Sequence, residues 1–450
     1  MTGKASLSDV VDQIKDRVEP APSSRDQKAE VAWLAQCLVE REASRHPEIR
    51  GVVLSGSFPK DTWLDDDADI DLFIRFERET PRKIFDSVTR EVGFAAMTRF
   101  GPYERYSEHP FVEATVHDTK VNVVPCFDVE RGQWQSAADR TPFHTELMSK
   151  KLSDSMRREI RLLKWFLKSN GLYGSEIARR GFSGYVVEVL VLLLGSFESV
   201  VRKFAGAAAG MTIGGEPDSF DTPIVIIDPV DERRNLAAAI SVENVGRLIM
   251  LCRALLNEPS ASLFDTPKKR TDQGILGSCI AIRFRYRTRS PDVIWGQLQR
   301  AASAIAMQLG RGGFTAIRSG ALTDEAGLGV LFFLLESERL GEYRVRRGPD
   351  FFSESDSERF LSGNKTRSSL FWIDDDRHIC SLERRTIREA EHFLRVQLTD
   401  GLATSGIPAG MKEDIAAGFE IVCDVDSLPK PIKASLVESL STDAALFHSD

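Results

Sequence analysis

One short segment constrains this chain more than any other. Asp69-Ile70-Asp71-Leu72-Phe73-Ile74 alternates polar and apolar side chains, the period of a strand with one face in a core and the other open to a cleft. Residues two apart on a strand share a face, so Asp69 and Asp71 come side by side. Like charges a few ångströms apart repel strongly in a partly desolvated cleft unless a cation sits on them, and hard oxygen ligands suit Mg²⁺. Two metal ions clamped by shared carboxylates can activate an attacking hydroxyl and neutralise a leaving pyrophosphate. Upstream, Gly51-Val52-Val53-Leu54 reads as a buried strand leading into Gly56-Ser57. A Gly-Ser turn between a strand and a helix offers N–H groups, a hydroxyl and the positive helix end to a phosphate. Asp65, Asp66 and Asp67 precede the alternation and read as a solvated loop. Paired aspartates alone also describe an acidic surface loop; the upstream turn makes this pair specific.

The rest of the chain is read around that segment. Its 450 residues correspond to about three domains. Apolar residues at 42% and charged residues at 28% exclude a disordered, collagen-like or coiled-coil chain. A net charge of −8 means that nucleic-acid contact requires a local basic face. Six scattered cysteines without a CxxC pair indicate neither a disulfide framework nor a zinc knuckle. The longest apolar run, Val186 to Leu194, is interrupted by Glu188 and falls short of the ~20 residues of a membrane span. Met1 to Arg17 lacks the pattern of a secretion signal, so the expectation is a cytoplasmic protein without membrane contact. Helical periodicity predicts a helix over Ala29 to Arg45 behind a Ser23-Ser24 start signal, and β-branched runs predict a hairpin from His109 to Val124 around His117-Asp118-Thr119. Helices follow from Ser153, among them Ser183 through Val201, and then Val242 to Leu256. Beyond Lys268-Lys269-Arg270 a strand (Cys279 to Tyr286), a helix (Pro291 to Leu309) and the apolar run Gly329 to Leu335 suggest a separate α/β unit. From Lys412 to Asp450, eight carboxylate side chains face three lysines, which reads as a solvated helical or frayed tail.

Gly56-Ser57-Phe58-Pro59-Lys60-Asp61-Thr62-Trp63-Leu64 with Asp69-Ile70-Asp71 resembles the active-site strand of the DNA polymerase β nucleotidyltransferase superfamily. The closer resemblance is to archaeal-type (class I) CCA-adding enzymes, the tRNA nucleotidyltransferases that build the 3′ CCA end. It continues through Tyr106-Ser107-Glu108-His109-Pro110-Phe111, Val123-Val124-Pro125-Cys126, Asp139 to His144, Arg180-Gly181-Phe182-Ser183-Gly184-Tyr185, Asp228 to Asn235 and Arg347-Gly348-Pro349. The resemblance implies an α+β multidomain fold: a polymerase β-like nucleotidyltransferase head (1–145), a helical neck and central domain (146–265), and an α/β body and tail that grip tRNA (266–450). It implies that Asp69 and Asp71 bind a two-metal Mg²⁺ site, and that Gly56, Ser57 and Lys60 meet the triphosphate of ATP or CTP. Relatives usually carry arginine where this chain has Lys60, whose point charge orients phosphate less strictly. His144, Lys164, Tyr173 and Arg234 match residues that hold the nucleotide. The implied partners are the tRNA acceptor end and a second copy of the chain in a homodimer.

The resemblance also exposes a departure. The strand before Val-Pro-Cys carries the third catalytic carboxylate in the family, and that slot is Asn122 here. An asparagine offers a neutral carbonyl oxygen but cannot accept the 3′-hydroxyl proton, so turnover should fall while triphosphate binding persists. Three readings follow: an inactivating change, substitution by Glu113 or Asp118, or a derived relative with another task. Arg283, Arg285, Arg287 and Arg289 alternate along a predicted strand with Phe284 and Tyr286 between them, and Arg344, Arg346 and Arg347 form a second cluster. A basic face with aromatic residues fits RNA; cations guarding an exposed sheet edge give the same pattern. The expected activity is template-independent addition of CMP and AMP to a tRNA 3′ end. The rivals are a catalytically weak or inactive tRNA- or nucleotide-binding paralogue, and a nucleotidyltransferase acting on other RNA or making signalling oligonucleotides.

Overall fold

The computed structural model describes residues 6–216, 220–266, 269–270 and 273–443. Its contacts group the chain into two compact units, Met1–Lys268 with Asp443–Asp450, and Lys269–Thr442.

The first unit holds two cores. α1 (Leu7–Ile14), closed by a Ser6–Asp9 capping box, gives Leu7, Val10 and Ile14 to a helical core formed mostly by later segments. α2 (Pro22–Ala43) and α3 (Arg82–Met97) pack on one face of a five-stranded sheet. The strands are β1 (Ile49–Ser55), β2 (Ile70–Phe76), β3 (Tyr103–Tyr106), β4 (Pro110–Val116) and β5 (Thr119–Phe127), in the order β1-β2-β5-β4-β3. β2 and β5 run parallel and the other neighbours antiparallel. Ile70, Leu72, Val112, Ala114, Val121 and Val123 point into the core, where Val31, Ala35, Phe85 and Val92 meet them. The strand alternation therefore leaves Asp69, Asp71 and Asn122 on the opposite, half-buried side. The hairpin between β4 and β5 turns on His117 and Asp118 at φ +46° and +61°, the two-residue turn whose twist matches its strands.

Two sequence expectations change here. α2 begins at Pro22, whose fixed φ suits the first helical position, so Ser23 and Ser24 lie inside the first turn. Gly56-Ser57 leads into a run of turns instead of a helix, so no helix N-terminus adds its field to that turn.

The second core is helical: α4 (Arg140–Lys151), α5 (Asp154–Ser169), α6 (Gly184–Leu194), α7 (Phe197–Ala205) and α8 (Val242–Asn257), beside the short parallel pair β6 (Met211–Ile213) and β7 (Ile224–Ile226). Phe166, Leu190, Phe197, Phe204 and Leu251 fill it. The single helix expected from Ser183 to Val201 is broken. Gly195 at φ +93° ends α6, Ser196 caps α7 by accepting from the Ser199 N–H, and the two axes bend by 93°. No single helix among the described residues is long and apolar enough to cross a membrane.

In the second unit, strands Ala316–Thr323, Leu328–Leu335, Cys279–Arg285 and Phe419–Val422 form a sheet in that order, with helix Pro291–Gly312 against one face. Strands Tyr343–Asp350, His378–Arg384 and Ser368–Ile373 form a second sheet beside helix Glu354–Asn364. Cys279–Arg285 is an interior strand and ends before Arg287 and Arg289. As far as residue 443, the acidic final stretch is structured. Helices Ala409–Ala417 and Lys430–Leu440 bury Met411, Ile415, Ile432 and Leu436. Met1 to Ala5, Lys268 and 444–450, named in the sequence reading, lie outside the described residues.

Candidate active site

The five strands of the first sheet each contribute one residue to a single polar rung. Ser55 pairs with Asp71, Asp71 with Asn122, Asn122 with Glu113, and Glu113 with Tyr103. The turn after β1 closes over this row: a Cβ on Gly56 would lie 2.1 Å from Asp71 Oδ2, and Gly56 sits at φ +82°. Only glycine allows the backbone that close to the carboxylate. Asp69, two residues before Asp71, shares its side, as the alternation requires.

The electrostatics of the rung follow from loss of water. Desolvation pushes the Asp71 carboxyl up to about 6; Asn122 opposes this with a hydrogen bond, neighbouring Asp69 adds to it, and Lys60 counters it. Asp69 is also raised, again chiefly by burial, with Lys120 pulling the other way. Asn122 Nδ2 donates to Asp71 Oδ1 over 2.9 Å. Among the described residues, the buried Asn122 Oδ1 and Ser55 Oγ have no hydrogen-bond partner. Two carboxylates of reduced acidity beside an orphaned amide oxygen are a hard-oxygen donor set, which fits one cation such as Mg²⁺. Asn122 stands where the resemblance implies a third carboxylate, and no group of three or more His, Cys, Asp or Glu converges among the described residues.

Neither candidate substitute is free to fill the gap. Glu113 lies beside Asn122, but Tyr103 Oη donates to one of its oxygens and Arg105 Nε to the other over 3.1 Å. Asp118 is in the hairpin turn before β5, four residues ahead of Asn122 in the chain.

The residues expected to hold the nucleotide form a connected second group. His144 on α4 stacks on Tyr185 with ring centres 3.7 Å apart, and its Nε2 lies 3.2 Å from Asp228 Oδ2. Burial drives the His144 pKa below its usual value despite Asp228, so it is neutral near pH 7 and donates from Nε2. Asp228 is fully buried. Desolvation pushes it up, but the hydrogen bond from His144, together with those from Val230 N–H and Tyr185 Oη, prevails and holds it at about 2. Arg234 reaches the same carboxylate at 3.1 Å and lines a cleft of about 730 Å³ with Trp134, Arg140, Phe220, Asp231 and Arg233. Lys60, expected at the triphosphate, and Lys164, expected at the nucleotide, are both buried against Glu188, at 2.5 Å and 3.6 Å. Tyr173 is half-buried early in the loop after α5, where a Cβ on Gly184 would come within 3.0 Å of its hydroxyl.

Three members of this group escaped the sequence reading as site residues: Glu188, Asp228 and Tyr185. Glu188 had a signal, being the one charge in an apolar helix. Asp228 and Tyr185 stood inside motifs already singled out by resemblance.

Most of the arginines expected to contact RNA are paired with carboxylates. Arg283 is paired with Glu420, Arg287 with Glu413 and Arg289 with Asp414, all from the acidic C-terminal stretch. Arg344 and Arg346 share the buried Glu383, and Arg347 bonds Asp374 and Asp376. Arg285 is exposed near Asp324.

Comparison with known proteins gives the family. The nucleotidyltransferase domain family matches residues 36–146, the tRNA nucleotidyltransferase second domain 158–265, and the CCA-adding enzyme C-terminal domain 277–424. A CCA-adding enzyme from Halobacterium salinarum is 32% identical over 426 residues, 91% of this chain and 92% of the relative. One from Sulfurisphaera tokodaii is 32% identical over 384 residues, covering 84% and 88%. One from Halorubrum lacusprofundi is 36% identical over 334 residues, covering 71% and 72%. The chain belongs to the CCA-adding enzyme family of tRNA nucleotidyltransferases.

Proposed function

We propose that this protein adds CMP and AMP, taken from CTP and ATP without a template, to the 3′ end of tRNA, and that Asn122 makes the chemical step slow. The observation that carries the reading is the polar rung: the Gly56 turn is pressed against Asp71, with Asp69 on the same side. A hard divalent cation such as Mg²⁺, held by Asp69 and Asp71, would neutralise charge on the triphosphate and the leaving pyrophosphate. The Gly56-Ser57 turn presents its N–H groups and hydroxyl toward the phosphates. Neutral His144, stacked on Tyr185 and anchored by Asp228, and the Arg234 guanidinium at the mouth of the aromatic-lined cleft suit a base and ribose. Asn122 spends its amide on Asp71 and has no basic oxygen for the 3′-hydroxyl proton, which leaves that proton without an adjacent carboxylate. The homodimer expectation rests on family resemblance alone.

Asn122 also favours a second reading, a tRNA- and nucleotide-binding paralogue without chemistry. The two separate when tRNAs lacking one, two or three terminal nucleotides are incubated with labelled CTP or ATP and Mg²⁺. Ordered CCA addition, abolished in Asp71→Asn, supports the enzyme. Binding without product supports the paralogue, and primer-free oligomers would contradict both.

A further inference from the structure

Glu188 is the fifth residue of α6, flanked by the buried apolar Val186, Val187, Val189, Leu190 and Val191. It is 0% exposed. A carboxylate in such surroundings costs several kcal/mol unless it is paired, so its partners explain its presence. Lys60 Nζ donates to Oε2 over 2.5 Å, and Thr62 Oγ1 to Oε1 over 2.5 Å. Lys164 Nζ stands 3.6 Å from Oε1 and donates to the Thr62 carbonyl over 2.8 Å. Lys60 and Lys164 are 5% and 1% exposed. Two ammonium groups therefore share one buried carboxylate, and the node carries one surplus positive charge.

The neighbours define where that charge is felt. Around Lys164 stand Glu188 from α6, Lys60 from the turn after β1 and Asp67 from the loop before β2. Around Lys60 stand Glu188, the Tyr185 ring at 6.0 Å, His144 on α4, and Asp71 on β2. Burial lowers Lys164 to about 8, with Glu188 pulling it back up and Lys60 repelling it. The carboxylate is what opposes loss of the Lys164 proton.

We propose that Glu188 is a positioning residue for polyphosphate binding: it locks Lys60 and Lys164 together, so that their shared surplus charge is completed by the triphosphate of the incoming nucleotide. This deepens the nucleotidyl-transfer reading above and rests on it for the identity of the anion. Glu188 touches neither substrate nor cation. It acts through the lysines and through Thr62, which it holds beside the Gly56-Ser57 turn.

The test is calorimetric binding of inorganic tripolyphosphate and of a non-hydrolysable ATP analogue across neutral to alkaline pH, for the wild type, Glu188→Gln and Glu188→Asp. Wild-type affinity should fall above about pH 8, where Lys164 loses its proton. Glu188→Gln should bind about tenfold more weakly near neutrality, with its alkaline fall shifted down by about one pH unit, because only Asp67 then offsets burial and Lys60 repulsion. In steady-state addition to tRNA, KM for ATP should rise about tenfold with kcat within about threefold. Glu188→Asp keeps the charge and should restore most of the affinity, which also covers failure of the Gln variant to fold. Unchanged affinity and pH profile in a folded Glu188→Gln, or in a folded Glu188→Asp an affinity no better than that of Glu188→Gln, overturns the proposal. Tighter tripolyphosphate binding in Glu188→Gln also overturns it, since the carboxylate would then be competing with phosphate. Binding needs no tRNA, so a chain that behaves as expected here yet adds no nucleotide contradicts the proposed activity alone.

Discussion

At the scale of single residues, Asn122 is a trade between stability and chemistry. Its amide satisfies Asp71 without a second charge, so the rung keeps its shape with no cation present. Asn122→Asp replaces that donor with a carboxylate against a carboxyl already pushed up by burial. We expect a loss of about 1–3 kcal/mol in EDTA, read as a drop in melting temperature that millimolar Mg²⁺ reverses. An equal drop with and without Mg²⁺ would contradict the cation site. Gly56→Ala should cost about 1–3 kcal/mol, because the methyl group meets Asp71 and the backbone is left-handed. Asp69, Asp71 and Gly56 were legible because their signal is local: a period of two and a turn residue. The clamp on Glu113 was not, because it depends on which residues of β3 stand opposite β4, and β-register is set by pairing across the sheet.

At the scale of elements, the informative cases are those where local pattern and tertiary packing disagree. Apolar periodicity runs unbroken from Ser183 to Val201, yet Gly195 and Ser196 divide it, a stop and start signal that an apolar count overlooks. Ser183 accepts from the Val186 N–H at the start of α6, the helix that carries Glu188, so Ser183→Ala should cost about 1 kcal/mol. Asp228 should contribute acid sensitivity to this part of the molecule. A carboxyl depressed in the folded state stabilises the fold above its unfolded pKa and loses that contribution as pH falls through the folded value. For Asp228 the window runs from the ordinary value of 3.8 down to about 2. The contribution is at most about 2 kcal/mol, and Asp228→Asn should flatten the stability profile in that window; an unchanged profile would place the acid sensitivity elsewhere.

At the scale of the whole molecule, the arginine stripe shows what composition hides. Acidic residues from 413 to 420 and basic residues from 283 to 289 look like two independent features, a tail and an RNA face, and they are partners across a sheet and a helix. Sequence separation concealed this, since the pairs lie more than a hundred residues apart. The distinction is measurable. Arg285→Ala should weaken tRNA binding and reduce its salt slope by about one. Arg289→Ala leaves the buried Asp414 unpaired, which should appear mainly as lost stability of about 3 kcal/mol. Equal effects of the two on the salt slope would mean that pairing does not decide which arginines reach RNA.

The central claim, that the rung through Asp71 and Asn122 is where the nucleotidyl transfer occurs, meets its most direct test in single-turnover addition of labelled CMP to tRNA lacking its terminal CCA. Asn122→Asp, measured beside the wild type with Mg²⁺, should add nucleotide about 10²–10⁴-fold faster with CTP affinity nearly unchanged. Vigorous wild-type incorporation that Asn122→Asp leaves at the same rate would contradict it.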